Sequence, residues 1–167
     1  ARTLRAIHEV AASINSALDL TEVRQRTCRA AVEMFGVDHS GMVEFDESYI
    51  SGRVVAEYPQ QNVRNTLIPL RGIPAEERLI SHHQPIVISE ITPALEKDLG
   101  GVIQIFQQFK IQSILIVPII SEGRVVGSFS LDTIGRRHEF TVDEIESCEV
   151  LAAQVAVTIE KTRLLHK

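Results

Sequence analysis

Two neighbouring segments, Gln112–Ile120 and Arg124–Ile134, are rich in apolar residues. Short apolar runs on either side of a turn predict two β-strands, and the short segment between them predicts a tight turn. Gly123 suits the second central position of a two-residue turn, although Glu122 is a poor first residue for one. We therefore expect an antiparallel hairpin whose register is set by this turn.

The expected register divides the hairpin into two faces, because side chains alternate along a strand. One face is wholly apolar and is expected to pack on helices; it carries Ile114, Ile116, Pro118, Ile120, Val125, Gly127, Phe129 and Leu131. The other face mixes aliphatic and polar side chains, namely Ser113, Leu115, Val117, Ile119, Val126, Ser128, Ser130 and Asp132. This mixed face is either a half-exposed sheet surface or the wall of a pocket with a few polar groups.

Both ends of the chain have helical patterns. Apolar residues recur at spacings of three and four along the first segment, as in a coiled-coil seam. Capping boxes at Asp19–Glu22 and Thr141–Glu144 predict the starts of two further helices, and Gly36 is expected to end the first of these. The last helix is predicted to continue to about Leu165, and it is apolar over more than one stripe.

This excess apolar surface predicts a homodimer formed by the terminal helices. The residues assigned to its interface are Leu4, Ile7, Ala11, Ile14, Leu18, Val155 and Ile159. An alternative stays open, in which the two terminal helices pack on each other within one chain.

The middle of the chain predicts a second strand pair, Val37–Asp46 and Ser51–Tyr58. Residues 59–74, with three prolines, are expected to be mostly loop. A short helix at Ala75–His82 and a short strand at Pro85–Ser89 follow, and Gly100-Gly101 should break a helical segment within Thr92–Phe109. Strands and helices in this order predict an α+β fold with an antiparallel sheet.

Composition narrows the classes of function. The chain has 167 residues, 44% of them hydrophobic, and a formal net charge of −5. It is long enough for one domain with a real core, and its charge disfavours nucleic acid or an anionic membrane as partner. Neither a signal peptide nor an apolar run of transmembrane length is present, so we expect a cytoplasmic setting. Because the helical patterns run to both ends, we expect a piece of a longer protein.

Three stretches resemble the GAF domain family. Asp19–Val23 resembles the opening of that family's second helix, and Ser113–Ile119 with Val126–Leu131 resembles its central hairpin. Phe140–Glu144 with Leu151–Ala156 resembles its closing helix. The resemblance implies an antiparallel sheet with the terminal helices on one face and a pocket, covered by loops and helices, on the other.

The resemblance also implies a function. GAF domains act as sensory or regulatory modules of histidine kinases, nucleotide cyclases and transcription regulators. We expect residues 1–18 to form a dimerisation helix, 19–140 the sheet and pocket, and 141–167 a helix that passes a signal to an output domain. The expected ligand is a small molecule bound non-covalently; the alternative is a ligand-free dimerisation module. No nucleophile–base or metal-binding pattern supports an enzyme.

The mixed face of the hairpin corresponds to the pocket side of the family. The expected ligand-binding residues are therefore Ser113, Leu115, Val117, Ser128, Ser130, Asp132, Phe106, Phe109 and His82. The two phenylalanines have an alternative role as anchors of the broken helix. His82 and its neighbour His83 have an alternative as a solvated pair at a helix C-terminus.

Particular ligands and activities of the family are not indicated by these residues. Some members attach a linear tetrapyrrole through a cysteine, but Gly101 stands near that position and 59–109 contains no cysteine. Asp132 stands where such photoreceptors carry a histidine. We therefore expect no covalent bilin. Cys28 and Cys148 are expected to be buried in helices, which argues against thiol chemistry.

Overall fold

The computed structural model describes residues 4–15 and 19–165, with side-chain surroundings for 4–9 and 19–165. Its helices are α1 (Leu4–Asn15), α2 (Leu20–Phe35), α3 (Pro74–His82), α4 (Glu96–Leu99), α5 (Val102–Gln108) and α6 (Val142–Leu165). Its strands are β1 (His39–Phe45), β2 (Ser51–Tyr58), β3 (Leu67–Pro69), β4 (Ile86–Ile88), β5 (Ile111–Ser121) and β6 (Arg124–Ile134).

The strands form one antiparallel sheet in the order β3-β2-β1-β6-β5-β4. Two hairpins, β1–β2 and β5–β6, are joined through the β1–β6 pair, and the three-residue strands β3 and β4 close the edges. The predicted α+β class is confirmed. Sequence analysis missed β3, because three paired residues inside a proline-rich loop leave no readable alternation.

Local signals place the helix ends as predicted. The Glu22 N–H donates to Asp19 Oδ1 at 2.9 Å, which caps α2. Gly36 ends this helix with a left-handed φ of 65°. At the start of α6, the Thr141 N–H donates to Glu144 Oε1 at 2.9 Å and the Glu144 N–H donates to Thr141 Oγ1 at 3.1 Å, a complete capping box.

The predicted two-residue turn of the β5–β6 hairpin is confirmed, but the register changes just beyond it. Ile120 pairs with Val125, whereas Ile119 pairs with Gly127. Val126 is therefore an extra residue on β6, a β-bulge. A bulge shifts one strand against the other by one position, so the faces of the two strands no longer match as expected.

The predicted faces of the hairpin are only partly right. On β6 the prediction is confirmed beyond the bulge, where Phe129 and Leu131 lie in the core beneath the helices, but it is wrong for Val125 and Val126, which lie on the opposite faces from those expected. The β5 assignment is wrong: Leu115 and Val117 join that same core. Their neighbours on the strand point to the opposite side of the sheet, where a second core lies.

Helices α1, α2 and α6 cover one face of the sheet. The core between them and the sheet includes Ile7, Cys28, Met42, Leu115, Phe129 and Leu151, each at most 1% exposed. The other face is covered by α3, α4, α5 and the connecting loops. The second core there includes Leu70, Leu79, Leu99, Val102, Ile114 and Ile116. The sheet thus separates two apolar layers of different construction.

The terminal helices pack on each other within the chain. Ile7 of α1 and Val155 of α6 are completely buried there, and Ile159 is partly buried against the same core. This is the alternative that the sequence left open, and it removes Ile7 and Val155 from any surface that a partner could reach. Leu4 is exposed. The side chains of Ala11 and Ile14 and the whole of Leu18 lie outside the described residues.

Over the described part of the chain, no helix combines the length and apolarity needed to cross a membrane.

Candidate functional site

A cavity of about 80 Å³ lies between the sheet and the cover formed by α3, α5 and nearby loops. Its walls are mostly aliphatic or aromatic. The apolar residues contributed by the sheet include Val43, Val54, Ile114 and Ile116, and those contributed by the cover include Val63, Val102, Ile105, Phe106 and Phe109. Polar side chains enter at a few places only, which is the usual composition of a small-molecule site.

The cover is built from short helical pieces. Gly100 ends α4 with φ 50° and ψ −134°, a conformation that favours glycine, and α5 starts two residues later. Arg78 of α3 donates to both carboxylate oxygens of Asp98 of α4, at 2.8 and 2.7 Å. This bidentate pair joins two pieces of the cover. Phe106 is buried and fills the space beside the cavity, while Phe109 is half-buried.

Three ionisable side chains meet at one end of the cavity floor. The Nδ1 atom of His39 lies 3.0 Å from Asp132 Oδ2, and its Nε2 atom lies 2.9 Å from Glu57 Oε1. All three residues are buried. The strand pairing sets this arrangement, because His39 is opposite Asp132 across the β1–β6 pair and close to the end of β2.

A doubly protonated His39 satisfies this geometry, because each ring nitrogen then donates to a carboxylate. Burial alone would lower the pKa of His39, but the hydrogen bonds and charges of Asp132 and Glu57 outweigh it and raise the pKa. Burial raises the pKa of Asp132, although the hydrogen bond and charge of His39 oppose that effect. The cluster is therefore a compact, buried, hydrogen-bonded network of one imidazole and two carboxyl groups.

Glu57 also orders the loop that closes one side of the cavity. Its Oε1 accepts the N–H of Gln61 at 2.8 Å, and its Oε2 accepts the N–H groups of Val63 at 3.1 Å and Arg64 at 3.2 Å. Because Val63 lines the cavity, the position of this wall depends on the same carboxylate that binds His39.

A fourth ionisable group enters from the cover. Glu76 of α3 is buried and lines the cavity. Its Oε1 has no hydrogen-bond partner, and the same is true of Asp132 Oδ1. Burial raises the pKa of Glu76 to about 7. The site therefore combines an apolar wall with two carboxyl groups that each have an unused acceptor.

The structure brings together five of the predicted ligand-binding residues, namely Ser128, Ser130, Asp132, Phe106 and Phe109. The others lie elsewhere. Leu115 and Val117 face the helices because of the bulge, and His82 is exposed at the end of α3. That any of these residues binds a ligand stays a prediction.

Ser113 is also displaced from the predicted site. Its Oγ donates to the Ser89 carbonyl at 2.5 Å and accepts the His138 N–H at 2.8 Å. Both hydrogen-bonding directions of the hydroxyl are thus used within the fold, between β5 and the segment that leads into α6. Its role here is to fix that segment.

Three residues of the site, His39, Glu57 and Glu76, could not be predicted from the sequence. His39 follows an unremarkable loop, and its two carboxylate partners are separated from it by 18 and 93 residues. Glu57 carried a weak signal, since it interrupts the apolar end of β2. Glu76 sits in the first turn of α3, where a carboxylate is favoured by the helix dipole alone.

The two cysteines lie on the other side of the sheet from the cavity. Cys28 and Cys148 are free thiols, fully buried in the core beneath the helices. Burial raises the pKa of Cys28 to about 12, and it raises the pKa of Cys148 well above its ordinary value. Among the described residues, no group of histidine, cysteine and carboxylate side chains is placed to hold a metal ion.

The sequence model of the GAF domain matches residues 19–159, which is most of the chain. The fold agrees with this match, since it is an antiparallel six-stranded sheet with helices on one face and a covered cavity on the other. The chain belongs to the GAF domain family, whose members are sensory, non-catalytic modules that bind small molecules. A comparison with curated protein sequences finds no match.

Solved structures with the same fold come from several signalling proteins. A far-red absorbing dark state with bound biliverdin IXα is 18% identical, with a TM-score of 0.80 over 95% of this chain and 99% of the other. The phycoerythrobilin-bound GAF domain of a cyanobacterial phytochrome is 19% identical, with a TM-score of 0.78 and full coverage of both chains. Residues 122 to 287 of a methyl-accepting chemotaxis protein are 19% identical, with a TM-score of 0.75 over 93% and 98% of the two chains.

These matches correct one prediction. The absence of a cysteine from 59–109 led to the expectation that a covalent bilin does not occur, but two of the structures just described hold a bilin on this fold. The expectation that this chain carries no covalent bilin is therefore wrong. Because these structures are only 18–19% identical to the chain, their similarity establishes the fold and not the ligand.

Proposed function

We propose that this domain senses a small molecule bound in the cavity between the sheet and its cover. The observation that supports the proposal is the cavity itself: an apolar enclosure into which the fold places two buried carboxyl groups with unused acceptors. Such acceptors cost stability in a ligand-free protein, by about 1–3 kcal/mol each, and a bound donor would recover it. A purely structural core would replace them with apolar side chains.

A linear tetrapyrrole belongs among the candidate ligands, because GAF domains of the same fold hold biliverdin and phycoerythrobilin. The volume of about 80 Å³ is well below the roughly 300–1,000 Å³ of sites for larger organic ligands. A ligand of that size would therefore have to displace α5 with Phe106 and Phe109. The break at Gly100-Gly101 gives the cover a place to bend.

The signal would pass to an output domain outside residues 1–167, such as a histidine kinase, a nucleotide cyclase or a transcription regulator. The route we propose is α6, because β5 contacts both the cavity and this helix. Ile114 and Ile116 line the cavity, and Leu115 and Val117, which alternate with them, pack in the core beneath α6.

We also propose that two copies associate through α6. Val150, Val157 and Leu164 repeat at intervals of seven residues, and the last two are exposed large hydrophobic side chains. An interval of seven residues is that of one of the two apolar positions in a coiled-coil heptad. This surface of α6 takes the place of the predicted interface at Ile7 and Val155, because those two side chains are buried between α1 and α6 of the same chain.

The small cavity supports a second function, that of a dimerisation module without a ligand. Phe106 is only 5% exposed and already occupies much of the space under the cover. In that case the two unpartnered carboxyl oxygens would reduce stability without a compensating ligand, and no molecule would copurify with the domain.

Native mass spectrometry of the purified domain separates the two functions. A retained mass beyond that of the polypeptide supports a sensor, and the same mass under denaturing conditions would mark a covalent ligand. Biliverdin added to the ligand-free domain gives a second test, read as a shift of its absorption spectrum. Neither a retained mass nor binding of any added compound would favour the dimerisation module.

A further inference from the structure

Two buried oxygen atoms face the same enclosure without a donor. Asp132 belongs to β6 on the cavity floor, and Glu76 belongs to α3 in the cover, so the carboxyl groups approach the cavity from different layers. Within the described residues, Asp132 Oδ1 and Glu76 Oε1 are the buried side-chain atoms that have no hydrogen-bond partner. A single packing defect could leave one such atom unpaired. Two of them, on residues from different layers that line one cavity, indicate a site for a hydrogen-bond donor.

The chain itself supplies little that could satisfy them. The described residues lining the cavity include no lysine or arginine. His39 is the one basic side chain there, and both of its ring nitrogens already face Asp132 Oδ2 and Glu57 Oε1. Asp132 and Glu57 thus take both ring nitrogens of the imidazole, and Glu76 has no basic partner among the described lining residues. In an apolar setting such an unbalanced charge interacts strongly with any ion that enters.

We propose that the cavity takes a small organic cation, with an ammonium or amidinium group whose N–H donors reach Asp132 Oδ1 and Glu76 Oε1. The proposal rests on the small-molecule function proposed above and specifies the chemical class of its ligand. The apolar body of the ligand would lie against Val102, Phe106 and Ile116. An aromatic ring close to the cation adds a favourable cation–π contribution.

The same arrangement selects against other classes. An anionic ligand would be desolvated next to carboxyl groups, and the basic side chain of the described lining, His39, already has both ring nitrogens paired. A neutral apolar ligand would leave both acceptors unpaired. Glu76 Oε1 has no hydrogen-bond partner and no lysine or arginine lies among the described lining residues, so its charge has no compensation there, and burial raises the pKa of Glu76 to about 7. A bound cation would supply that compensation.

Isothermal titration calorimetry with three probes of one shape tests the proposal: benzamidinium chloride, neutral benzamide and sodium benzoate. We expect benzamidinium to bind, benzamide to bind at least about tenfold more weakly, and benzoate to show no binding, since charge-assisted hydrogen bonds are stronger than neutral ones. Glu76→Gln and Asp132→Asn should each weaken benzamidinium binding by at least about tenfold.

Two matched variants control for removal of a carboxylate. Glu77→Gln changes the exposed neighbour on α3, and Asp143→Asn changes an exposed aspartate on α6. Both should bind benzamidinium as the wild type does. Should Asp132→Asn fail to fold, Glu76→Gln still decides the question, because Glu76 Oε1 makes no hydrogen bond that the fold would lose.

Equal binding of benzamide and benzamidinium, or unchanged binding by Glu76→Gln, would overturn the cation assignment. Biliverdin that binds wild type and Glu76→Gln equally, without competition from benzamidinium, would overturn it while leaving the sensor function in place. If none of the four probes binds and no ligand copurifies, both the assignment and the sensor function fail.

Discussion

His39 Nδ1 lies 3.0 Å from one carboxylate oxygen of Asp132, and the other oxygen of that carboxylate has no hydrogen-bond partner. The pair crosses from β1 to β6 and joins the two hairpins at the cavity floor. By occupying Oδ2, His39 fixes the orientation of the carboxyl group and leaves Oδ1 unused. The same imidazole holds Glu57, which in turn orders the loop carrying Val63.

Removing the imidazole should therefore destabilise the fold as well as the site. His39→Ala leaves two buried carboxylates without their cation, and we expect the free energy of unfolding to fall by about 3–5 kcal/mol. Urea denaturation followed by circular dichroism measures this. His8→Ala, at an exposed position of α1, is the control and should change it by less than about 0.5 kcal/mol. A loss equal to that of the control would mean that the network is not ionic.

Glu76 predicts how stability depends on pH. Its pKa is raised from 4.5 to about 7 in the folded protein, so between these values the folded state holds a proton that the unfolded state has lost. The contribution of Glu76 to the free energy of unfolding is then fully present below pH 4.5 and declines as the pH rises towards 7. Over this window the loss due to Glu76 amounts to about 3 kcal/mol.

Chemical denaturation at a series of pH values tests this dependence. Glu76→Gln should flatten the decline between pH 4.5 and 7, whereas Glu77→Gln should keep it. The raised pKa of His39 acts in the same direction above its ordinary value of 6.5, so a residual decline there is expected in both variants. Identical profiles for wild type and Glu76→Gln would show that Glu76 is not the group responsible.

Gly127 lies beside the bulge, where β6 passes very close to β1. A Cβ atom there would collide with the backbone carbonyl oxygen of Val43, which cannot move aside without disturbing the β1–β6 pair. Gly127→Ala should cost at least about 2 kcal/mol of stability. Gly101→Ala is the control, because its nearest neighbour is 4.0 Å away, and it should be neutral or slightly stabilising. Equal thermal stabilities of the two variants would contradict this packing.

The proposed association through α6 can be tested by a single charge. Val157→Lys places an ammonium in the centre of the exposed heptad stripe, and desolvating that charge should disrupt a dimer. Light scattering coupled to size-exclusion chromatography reports the mass. Val87→Lys makes the same change at an exposed valine of the edge strand β4 and should leave the mass unchanged. A Val157→Lys protein that stays dimeric would assign the interface to another surface.

Most of the fold could be predicted from the sequence because its signals are local. Capping boxes, a left-handed glycine and alternating strands each act within a few residues, and they located α2, α6 and the two hairpins. The β-bulge at Val126 was not predicted, because the residues around it show no pattern that distinguishes a strand with an extra residue from a regular strand. That one residue reversed the faces of β5 and moved Leu115 and Val117 out of the candidate site.

The candidate site was predicted only where it follows from strand alternation. Ser128, Ser130 and Asp132 were found because they occupy every second position of β6. His39, Glu57 and Glu76 come from three different elements, and only the folded chain brings them to one cavity. Likewise, the α1 seam was recognised as apolar, but whether Ile7 packs on its own α6 or on a second copy depends on tertiary structure.

The alternation of β5 has a mechanical consequence. Ile116 borders the cavity, and Val117, the next residue, is buried beneath the terminal helices. The wall between the two layers is thus one backbone thick, and no side-chain relay is needed to cross it. A tilt or translation of β5 moves side chains in both layers at once. Any molecule that enlarges the cavity by moving this strand therefore also shifts the surface on which α6 packs.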